Sequence, residues 1–195
     1  MVIWKPRSYQ LRILQFLHAH YRAMVAAGAG LGKTVTMLTF LRFLLGHAQQ
    51  GDKVIRRALV VGPKRVVLSV WRQECEKWQH LNGLDIAVIH GNTWREDLLA
   101  CTAEIVVVTY AQLATIKRSV KGKGIQKYKG IVDLFTDKTW PFDCMVLDES
   151  TKIKSPSSDA FKATIKLKKR VERIYLMSGT PAPNGLLDLW PQMAA

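Results

Sequence analysis

The chain has 195 residues, a length that favours one domain with a single substantial core. Hydrophobic residues make up 48% of the sequence and charged residues 23%, which excludes a disordered or collagen-like chain. Lysine and arginine number 29 against 15 aspartate and glutamate residues, giving a net charge of +14. Such a basic chain is expected to bind a polyanion, either nucleic acid or an anionic membrane surface. A high net charge that only increases solubility is the alternative.

No membrane segment or secretory leader is expected. The most apolar helical stretch, residues 35–45, is too short to span a bilayer and contains Arg42. The N-terminus lacks the apolar core of a signal peptide, and the three cysteines have neither disulfide-framework nor zinc-site spacing. We therefore expect a cytoplasmic protein in which the thiols of Cys75, Cys101 and Cys144 are buried.

Short apolar runs alternate with longer amphipathic stretches along the chain. Several runs are apolar at every position, which is typical of parallel strands covered by helices on both faces. The pattern predicts one α/β domain over residues 1–195, with a doubly wound, mostly parallel sheet. The predicted strands are residues 23–27, 58–61, 86–89, 105–108, 144–147 and 174–177. The predicted helices are residues 9–20, 33–45, 66–78, 93–100, 110–119 and 157–168.

A basic segment interrupts this alternation. Residues 117–129 contain six lysines and arginines, two glycines and no acidic residue. The composition predicts an exposed loop or insertion. Lys121, Lys123 and Lys127 are its candidates for contacts with a nucleic-acid backbone, and a solvated loop without a partner is the alternative.

The strongest chemical signal is a glycine-rich segment between a predicted strand and a predicted helix. Glycines let successive N–H groups surround a phosphate, and the helix N-terminus adds positive potential. In such a loop Lys33 reaches the β- and γ-phosphates of a nucleotide, and the Thr34 hydroxyl binds Mg²⁺. The sequence therefore predicts a site for the phosphates of a nucleoside triphosphate and for Mg²⁺. Its predicted nucleotide-binding residues are Gly28, Ala29, Gly30, Leu31, Gly32, Lys33 and Thr34.

Two carboxylates follow the predicted strand 144–147. The carboxyl end of such a strand faces the crevice where open parallel sheets bind ligands. Asp148 is expected to hold Mg²⁺, and Glu149 is expected to orient and deprotonate the attacking water. With Lys33, these two residues form the predicted catalytic set.

These segments together resemble the Swi/Snf-like ATPases of helicase superfamily 2, in particular their N-terminal RecA-like lobe. Residues 27–34 match the A-x-x-G-x-G-K-T form of motif I, and residues 7–10 are similar to the R-x-Y-Q element. Residues 148–151 resemble the DEAD/DEAH box of motif II. The segments similar to motifs Ia, Ib and III are residues 63–78, 106–110 and 178–184.

The resemblance implies that the nucleotide is ATP, and it implies further roles. Arg7 and Gln10 would take part in nucleotide binding, with Gln10 recognising adenine. Residues that would couple the γ-phosphate site to nucleic acid are Thr109, Tyr110, Ser178 and Thr180. The implied partner is double-stranded DNA bound without sequence preference, and the implied setting is a bacterial or phage-infected cell.

Two positions in these motifs carry specific expectations. Thr151 stands where the DEAH box has a histidine that contacts motif III in the family, and the Thr151 hydroxyl could make a contact in its place. Trp71 and Trp78 are seven residues apart on a predicted helix, so they share a face and are expected to pack rather than contact DNA.

The resemblance also implies a second, C-terminal RecA-like lobe as a partner, because no segment after motif III resembles motifs IV to VI. Those motifs carry an arginine finger, and such fingers contribute about 10³- to 10⁵-fold to kcat. We therefore expect this lobe alone to bind Mg·ATP weakly and to hydrolyse it slowly. The alternatives are a non-hydrolysing nucleic-acid-binding module on the same fold, a P-loop kinase and a GTP switch. The last two lack an evident arginine-rich lid and an N-K-x-D guanine-binding motif, respectively.

Overall fold

The computed structural model describes residues 1–47, 53–120 and 124–195, and of residues 117–120 and 124 it describes the backbone alone. The strands are β1 (Arg22–Ala26), β2 (Ala58–Gly62), β3 (Ile86–Val88), β4 (Ile105–Thr109), β5 (Ile116–Val120), β6 (Gly124–Tyr128), β7 (Cys144–Asp148) and β8 (Arg173–Ser178). Six of them form one sheet in the order β1-β8-β7-β2-β4-β3, with every neighbouring pair parallel. The predicted sheet and all six predicted strands are confirmed.

Helices connect the strands. They are α1 (Ser8–Ala19), α2 (Lys33–Leu44), α3 (Lys64–Ser69), α4 (Trp71–Lys77), α5 (Trp94–Ala100), α6 (Tyr110–Leu113), α7 (Ile131–Leu134), α8 (Asp159–Leu167) and α9 (Leu189–Ala194). Short 3₁₀ helices lie at Gln79–Leu81, Ser150–Ile153 and Leu186–Asp188. Among the described residues, no helix has the length and apolar character needed to cross a membrane.

The central strands of the sheet are buried on both faces, as their apolar runs predict. All five residues of β2 are buried. Successive side chains of a strand point to opposite faces. Ala58 and Val60 accordingly pack into one core layer with α1, α2 and α4, whereas Leu59 and Val61 pack into a second layer with α5 and α8. This two-sided packing fixes the position of the sheet edge on which the site is built.

Two predicted helices are wrong in extent. The predicted helix over residues 66–78 is divided into α3 and α4 at Val70, and the break places the buried Trp71 at the start of α4. The helix predicted over residues 110–119 ends at Leu113, because residues from Ile116 onward form β5. Pairing between strands overrides local helix propensity here.

Residues 117–120 and 124–128 of the basic segment belong to a β-hairpin between α6 and α7, so the predicted insertion takes the form of a hairpin rather than a loop. β5 and β6 pair antiparallel, with Ile116 opposite Tyr128. Lys127 is exposed on β6, whereas Lys121 and Lys123 lie outside the described residues. Of the three cysteines expected to be buried, two are buried and Cys101 is half-buried.

Candidate functional site

Parallel strands bring the predicted motifs to one edge of the sheet. β1, β8 and β7 are neighbours, with Ala26 opposite Ser178 and Met177 opposite Asp148. The glycine-rich loop after β1, the segment after β8 and the two carboxylates after β7 are therefore side by side. The end of β4 lies at the same edge, where Thr109 pairs with Gly62 of β2.

The glycine-rich loop has the backbone shape that its glycines predict. Gly30 and Gly32 have φ values of 76° and 70°, in the left-handed region that glycine adopts without strain. Gly28, Ala29 and Leu31 are exposed, and Thr34 lies half-buried in the first turn of α2. The Lys33 ammonium donates to the carbonyl oxygens of Ala27 at 2.8 Å and Gly28 at 3.1 Å. It is thus held beside the loop by bonds to neutral acceptors.

The R-x-Y-Q element contacts the same loop. Gln10 is buried, and its Oε1 accepts from the backbone N–H of Arg7 at 2.9 Å. The Gln10 Nε2 lies 3.5 Å from the Leu31 carbonyl oxygen, to which the Tyr9 hydroxyl donates at 3.0 Å. A methyl group on Gly32 would lie 2.7 Å from Gln10 Nε2. Arg7 itself is exposed at the N-cap of α1. Tyr9 therefore contacts the loop, although we did not name it among the predicted site residues.

Both oxygens of the Asp148 carboxylate accept a hydrogen bond. The side chain is 4% exposed, Oδ2 accepts from the Trp71 indole N–H at 3.0 Å, and Oδ1 accepts from the Glu149 N–H at 3.0 Å. Burial raises the pKa of Asp148 above its ordinary value, and the bond from Trp71 opposes that shift. Glu149 is half-buried and has a φ of 50°, the one described non-glycine residue with a positive φ.

Trp71 therefore does more than pack. Its ring is fully buried, as expected, but its N–H is directed at the predicted magnesium ligand. Tyr110 also lies beneath this turn, where its hydroxyl donates to the Asp148 backbone carbonyl at 3.0 Å. Burial is the main reason that the pKa of Tyr110 lies well above its ordinary value, and the nearby carboxylates of Asp148 and Glu149 raise it further. A buried tryptophan needs a partner for its N–H, and this is the signal that could have indicated the contact.

The remaining coupling candidates occupy different environments. Ser178 is fully buried and its hydroxyl accepts from the Thr180 N–H at 3.1 Å, while the Thr180 side chain is exposed. The Thr109 N–H and hydroxyl both donate to Gln112 Oε1, at 2.7 and 2.8 Å. These bonds cap the N-terminus of α6. Ser150 rather than Thr151 is linked to motif III, and the link is indirect: the Ser150 hydroxyl donates to Gln192 Oε1 at 2.6 Å, and Gln192 Nε2 donates to the Pro181 carbonyl at 2.6 Å.

A groove of about 530 Å³ opens beside Thr109, between the sheet edge and the hairpin. Its polar lining includes Lys64, Asn92 and Arg95. The Arg95 guanidinium lies 4.4 Å from the centre of the Trp94 ring, and its Nε donates to the Lys129 carbonyl at 2.7 Å. Arg95 therefore joins α5 to the end of the hairpin. Lys127 lies outside this lining.

The six-stranded parallel sheet with its covering helices is the fold of the RecA-like core of helicase-type ATPases. The SNF2-related domain matches residues 9–194, and the chain belongs to this family. It is 33% identical to putative protein p41 of Acyrthosiphon pisum secondary endosymbiont phage 1, over 98% of the chain and 39% of that protein. It is 28% identical to the transcriptional regulator ATRX homolog of Caenorhabditis elegans, over 82% of the chain and 13% of that protein.

Solved structures agree on the fold. The SWI2/SNF2 ATPase core of Sulfolobus solfataricus in complex with dsDNA superposes with a TM-score of 0.72 at 23% identity, over 98% of this chain and 36% of that one. The UvsW helicase of bacteriophage T4 superposes with a TM-score of 0.67 at 14% identity, over 98% and 57% of the two chains. Among the sequence relatives, the chain spans 39% of the phage protein and 13% of the nematode protein, well under half of either length.

Proposed function

We propose that the chain is the Mg·ATP-binding lobe of an SNF2-type, DNA-dependent ATPase and translocase. The observation that carries this proposal is the meeting of three segments at one sheet edge: the glycine-rich loop, Asp148–Glu149 and Ser178–Thr180. Each segment follows a different parallel strand, at the end of the sheet where such folds bind ligands.

In this proposal the phosphates of ATP lie against the glycine-rich loop. The left-handed Gly30 and Gly32 shape its backbone, and the N-terminus of α2 supplies positive potential. Lys33 exchanges its bonds to the Ala27 and Gly28 carbonyls for stronger, charge-assisted bonds to phosphate oxygens.

The donor set beside the loop suits Mg²⁺, a hard cation that prefers oxygen ligands. A carboxylate can accept about four hydrogen bonds, and the carboxylate of Asp148 accepts two. Asp148 and the hydroxyl of Thr34 would hold the ion. A bound Mg²⁺ would neutralise part of the negative charge of the phosphates. Because Trp71 and the Glu149 N–H already restrain the carboxylate, Asp148 meets the ion with little loss of side-chain freedom.

Glu149 is the proposed general base. It would accept the proton of the attacking water, which Asp148 is less free to do because both of its oxygens are engaged. Its left-handed backbone is unusual for a residue with a side chain, and such conformations are concentrated at functional sites.

The adenine base is proposed to lie in a cleft of about 510 Å³ between α1 and the loop. Its lining includes Tyr9, Arg12, Phe16 and Leu31. Gln10 borders this region through its contact with Leu31, and its amide provides both a donor and an acceptor for a base edge. The aromatic and aliphatic walls suit a flat heterocycle.

Duplex DNA is the proposed nucleic-acid partner, bound through its phosphates in the groove beside Thr109. Lys64 and Arg95 line this groove, and the net charge of +14 favours a polyanion. The Sulfolobus relative in complex with dsDNA has the same fold. Phosphate contacts of this kind carry no direct sequence information.

The experiment is steady-state Mg·ATP hydrolysis with and without duplex DNA, using Lys33→Ala and Glu149→Gln. The longer relatives lead us to propose that a second lobe supplies the arginine finger, so we expect low turnover by this chain alone. Any turnover is expected to disappear in both variants, while Glu149→Gln still binds Mg·ATPγS. Rapid turnover without DNA that Lys33→Ala abolishes would contradict the need for a second lobe. Turnover that survives both substitutions would refute the assigned site.

A further inference from the structure

A buried chain of hydrogen bonds links the segment after β7 to the segment after β8. The Ser150 hydroxyl donates to Gln192 Oε1 at 2.6 Å. Gln192 Nε2 in turn donates to the carbonyl oxygens of Pro181 at 2.6 Å and Asp188 at 2.7 Å. The Ser150 and Gln192 side chains are 0% and 1% exposed, so these bonds do not compete with water.

One end of this chain fixes the backbone of the proposed general base. Ser150 directly follows Glu149, whose φ of 50° is disfavoured for a residue with a side chain. Such a conformation persists only where its surroundings determine it. The Ser150 bond to Gln192 and the Glu149 N–H bond to Asp148 are anchors on the two sides of that residue.

The other end fixes the segment that touches the glycine-rich loop. Residues 178–188 leave β8 and pass that loop, where a methyl group on Gly179 would lie 3.6 Å from Ala29 N and 3.7 Å from Lys33 Nζ. Two residues after Gly179, the carbonyl oxygen of Pro181 accepts the bond from Gln192. A displacement of the loop or of Lys33 would therefore reach Gln192 through only a few residues.

We infer that Gln192 is a positioning residue that couples the segment of residues 179–194, which passes the glycine-rich loop at Gly179, to the turn that carries Glu149. This inference rests on the proposed function, because it needs a nucleotide at the glycine-rich loop. Contact of a triphosphate with Lys33 shifts the segment at Gly179, and Gln192 transmits that shift to Ser150 and hence to Glu149. The apolar residues Trp190 and Met193, which are 63% and 72% exposed on α9, move with it.

Only an amide side chain makes all three bonds at position 192. Gln192 uses its carbonyl oxygen to accept from Ser150 and both amide hydrogens to donate to backbone carbonyls. Glutamate retains the acceptor but loses both donors, and methionine has a similar length but makes none of these bonds. A second connection, the ion pair of Lys154 Nζ with Asp188 Oδ2 at 3.5 Å, is partly exposed and therefore weakened by salt.

The experiment is millisecond-to-minute hydrogen exchange of residues 179–194, measured without nucleotide, with Mg·ADP and with Mg·ATPγS. Salt is kept at about 0.3 M, where the Lys154–Asp188 pair is screened. Each protein is saturated according to its own nucleotide titration. The variants are Gln192→Met, Gln192→Glu and Ser150→Ala, and the matched control is Gln73→Met, at an exposed glutamine on α4.

We expect the original chain to show at least threefold slower exchange of this segment with Mg·ATPγS than with Mg·ADP. We expect Gln73→Met to retain the difference and the other variants to lose it. A purely structural role would speed exchange equally with both nucleotides and leave their ratio unchanged, which would overturn the inference. Nucleotide binding without any difference in the original chain would also overturn it, whereas failure of the original chain to bind nucleotide would refute the proposed function itself. If Gln192→Met does not fold, Ser150→Ala tests the same connection from its other end.

Discussion

The buried bond between Trp71 and Asp148 makes a quantitative prediction. Trp71→Phe keeps an aromatic ring but removes the N–H that donates to Asp148 Oδ2 at 3.0 Å. A hydrogen bond to a charged group contributes about 1.5–3 kcal/mol, and its loss leaves a buried carboxylate oxygen without a donor. The smaller ring leaves a cavity that costs about 1 kcal/mol more. We therefore expect Trp71→Phe to lower the free energy of unfolding by about 2.5–4 kcal/mol.

The chain offers a matched control in Trp78. Its indole N–H also donates to a carboxylate, Glu74 Oε2 at 2.7 Å, but this pair lies one helical turn apart and the ring is half-buried. Exposed pairs of this type contribute at most about 1 kcal/mol, so Trp78→Phe is expected to be much milder. Both substitutions remove an indole N–H that donates to a carboxylate, from a buried pair distant in sequence in one case and from a half-buried local pair in the other.

Urea unfolding measures the difference. With an m value of about 2 kcal/mol/M, Trp71→Phe should lower the midpoint by about 1–2 M. In an Asp148→Asn background the cost of Trp71→Phe should fall by about 1–2 kcal/mol, because the charged acceptor is gone. Equal shifts for Trp71→Phe and Trp78→Phe, or strictly additive effects in this cycle, would refute the reasoning.

Three further predictions concern the loop, the sheet's other end and the groove. In urea unfolding, Gly32→Ala should lower the free energy of unfolding more than Gly30→Ala. Each substitution costs about 1–2 kcal/mol because the backbone is left-handed, but only at Gly32 would the added methyl group clash with Gln10. Equal losses would contradict that contact. Burial raises the pKa of Asp143, but bonds from Arg56 and the Arg57 N–H outweigh that effect and hold this pKa below its ordinary value. The stabilisation is therefore fully present above the ordinary pKa of aspartate and is lost as the pH falls through the lowered pKa, so Asp143→Asn should cost about 1–3 kcal/mol at pH 7 and steadily less as the pH falls through that lowered pKa. A cost that does not change with pH would exclude the charged acceptor as its cause. For duplex DNA, about five phosphate contacts predict a log–log salt slope of about −4 to −5, measured by fluorescence anisotropy, and a slope near zero would remove the groove from the account.

The sheet was predictable because its strands are buried on both faces. β2 and β7 are buried at every position, and the apolar runs 58–61 and 144–147 that they contain, set between amphipathic stretches, leave little choice of architecture. The convergence of the motifs then follows from topology, since the carboxyl ends of parallel strands share one edge. The end of helix α6 was not predictable, because Ile116 joins β5 through pairing with Tyr128, which a local pattern does not contain.

The contacts that hold the site in place were not visible in the sequence for a related reason. Trp71 and Asp148 are 77 residues apart, and Ser150 and Gln192 are 42 residues apart. Helical spacing correctly indicated that Trp71 packs, but the direction of its N–H depends on where β7 lies. Thr151 occupies the position of the DEAH-box histidine, and that position pointed to Thr151 for a contact with motif III. The 3₁₀ turn after Glu149 instead directs Ser150 inward, toward Gln192.

The central claim is that Mg·ATP binds at the glycine-rich loop. Its most direct test is a titration of the chain with a fluorescent ATP analogue, with and without Mg²⁺, beside Lys33→Ala. We predict saturable binding that Mg²⁺ strengthens and that Lys33→Ala weakens at least tenfold, with unlabelled ATP competing for the site. Binding that is absent, or equally strong in Lys33→Ala and without Mg²⁺, would contradict the account.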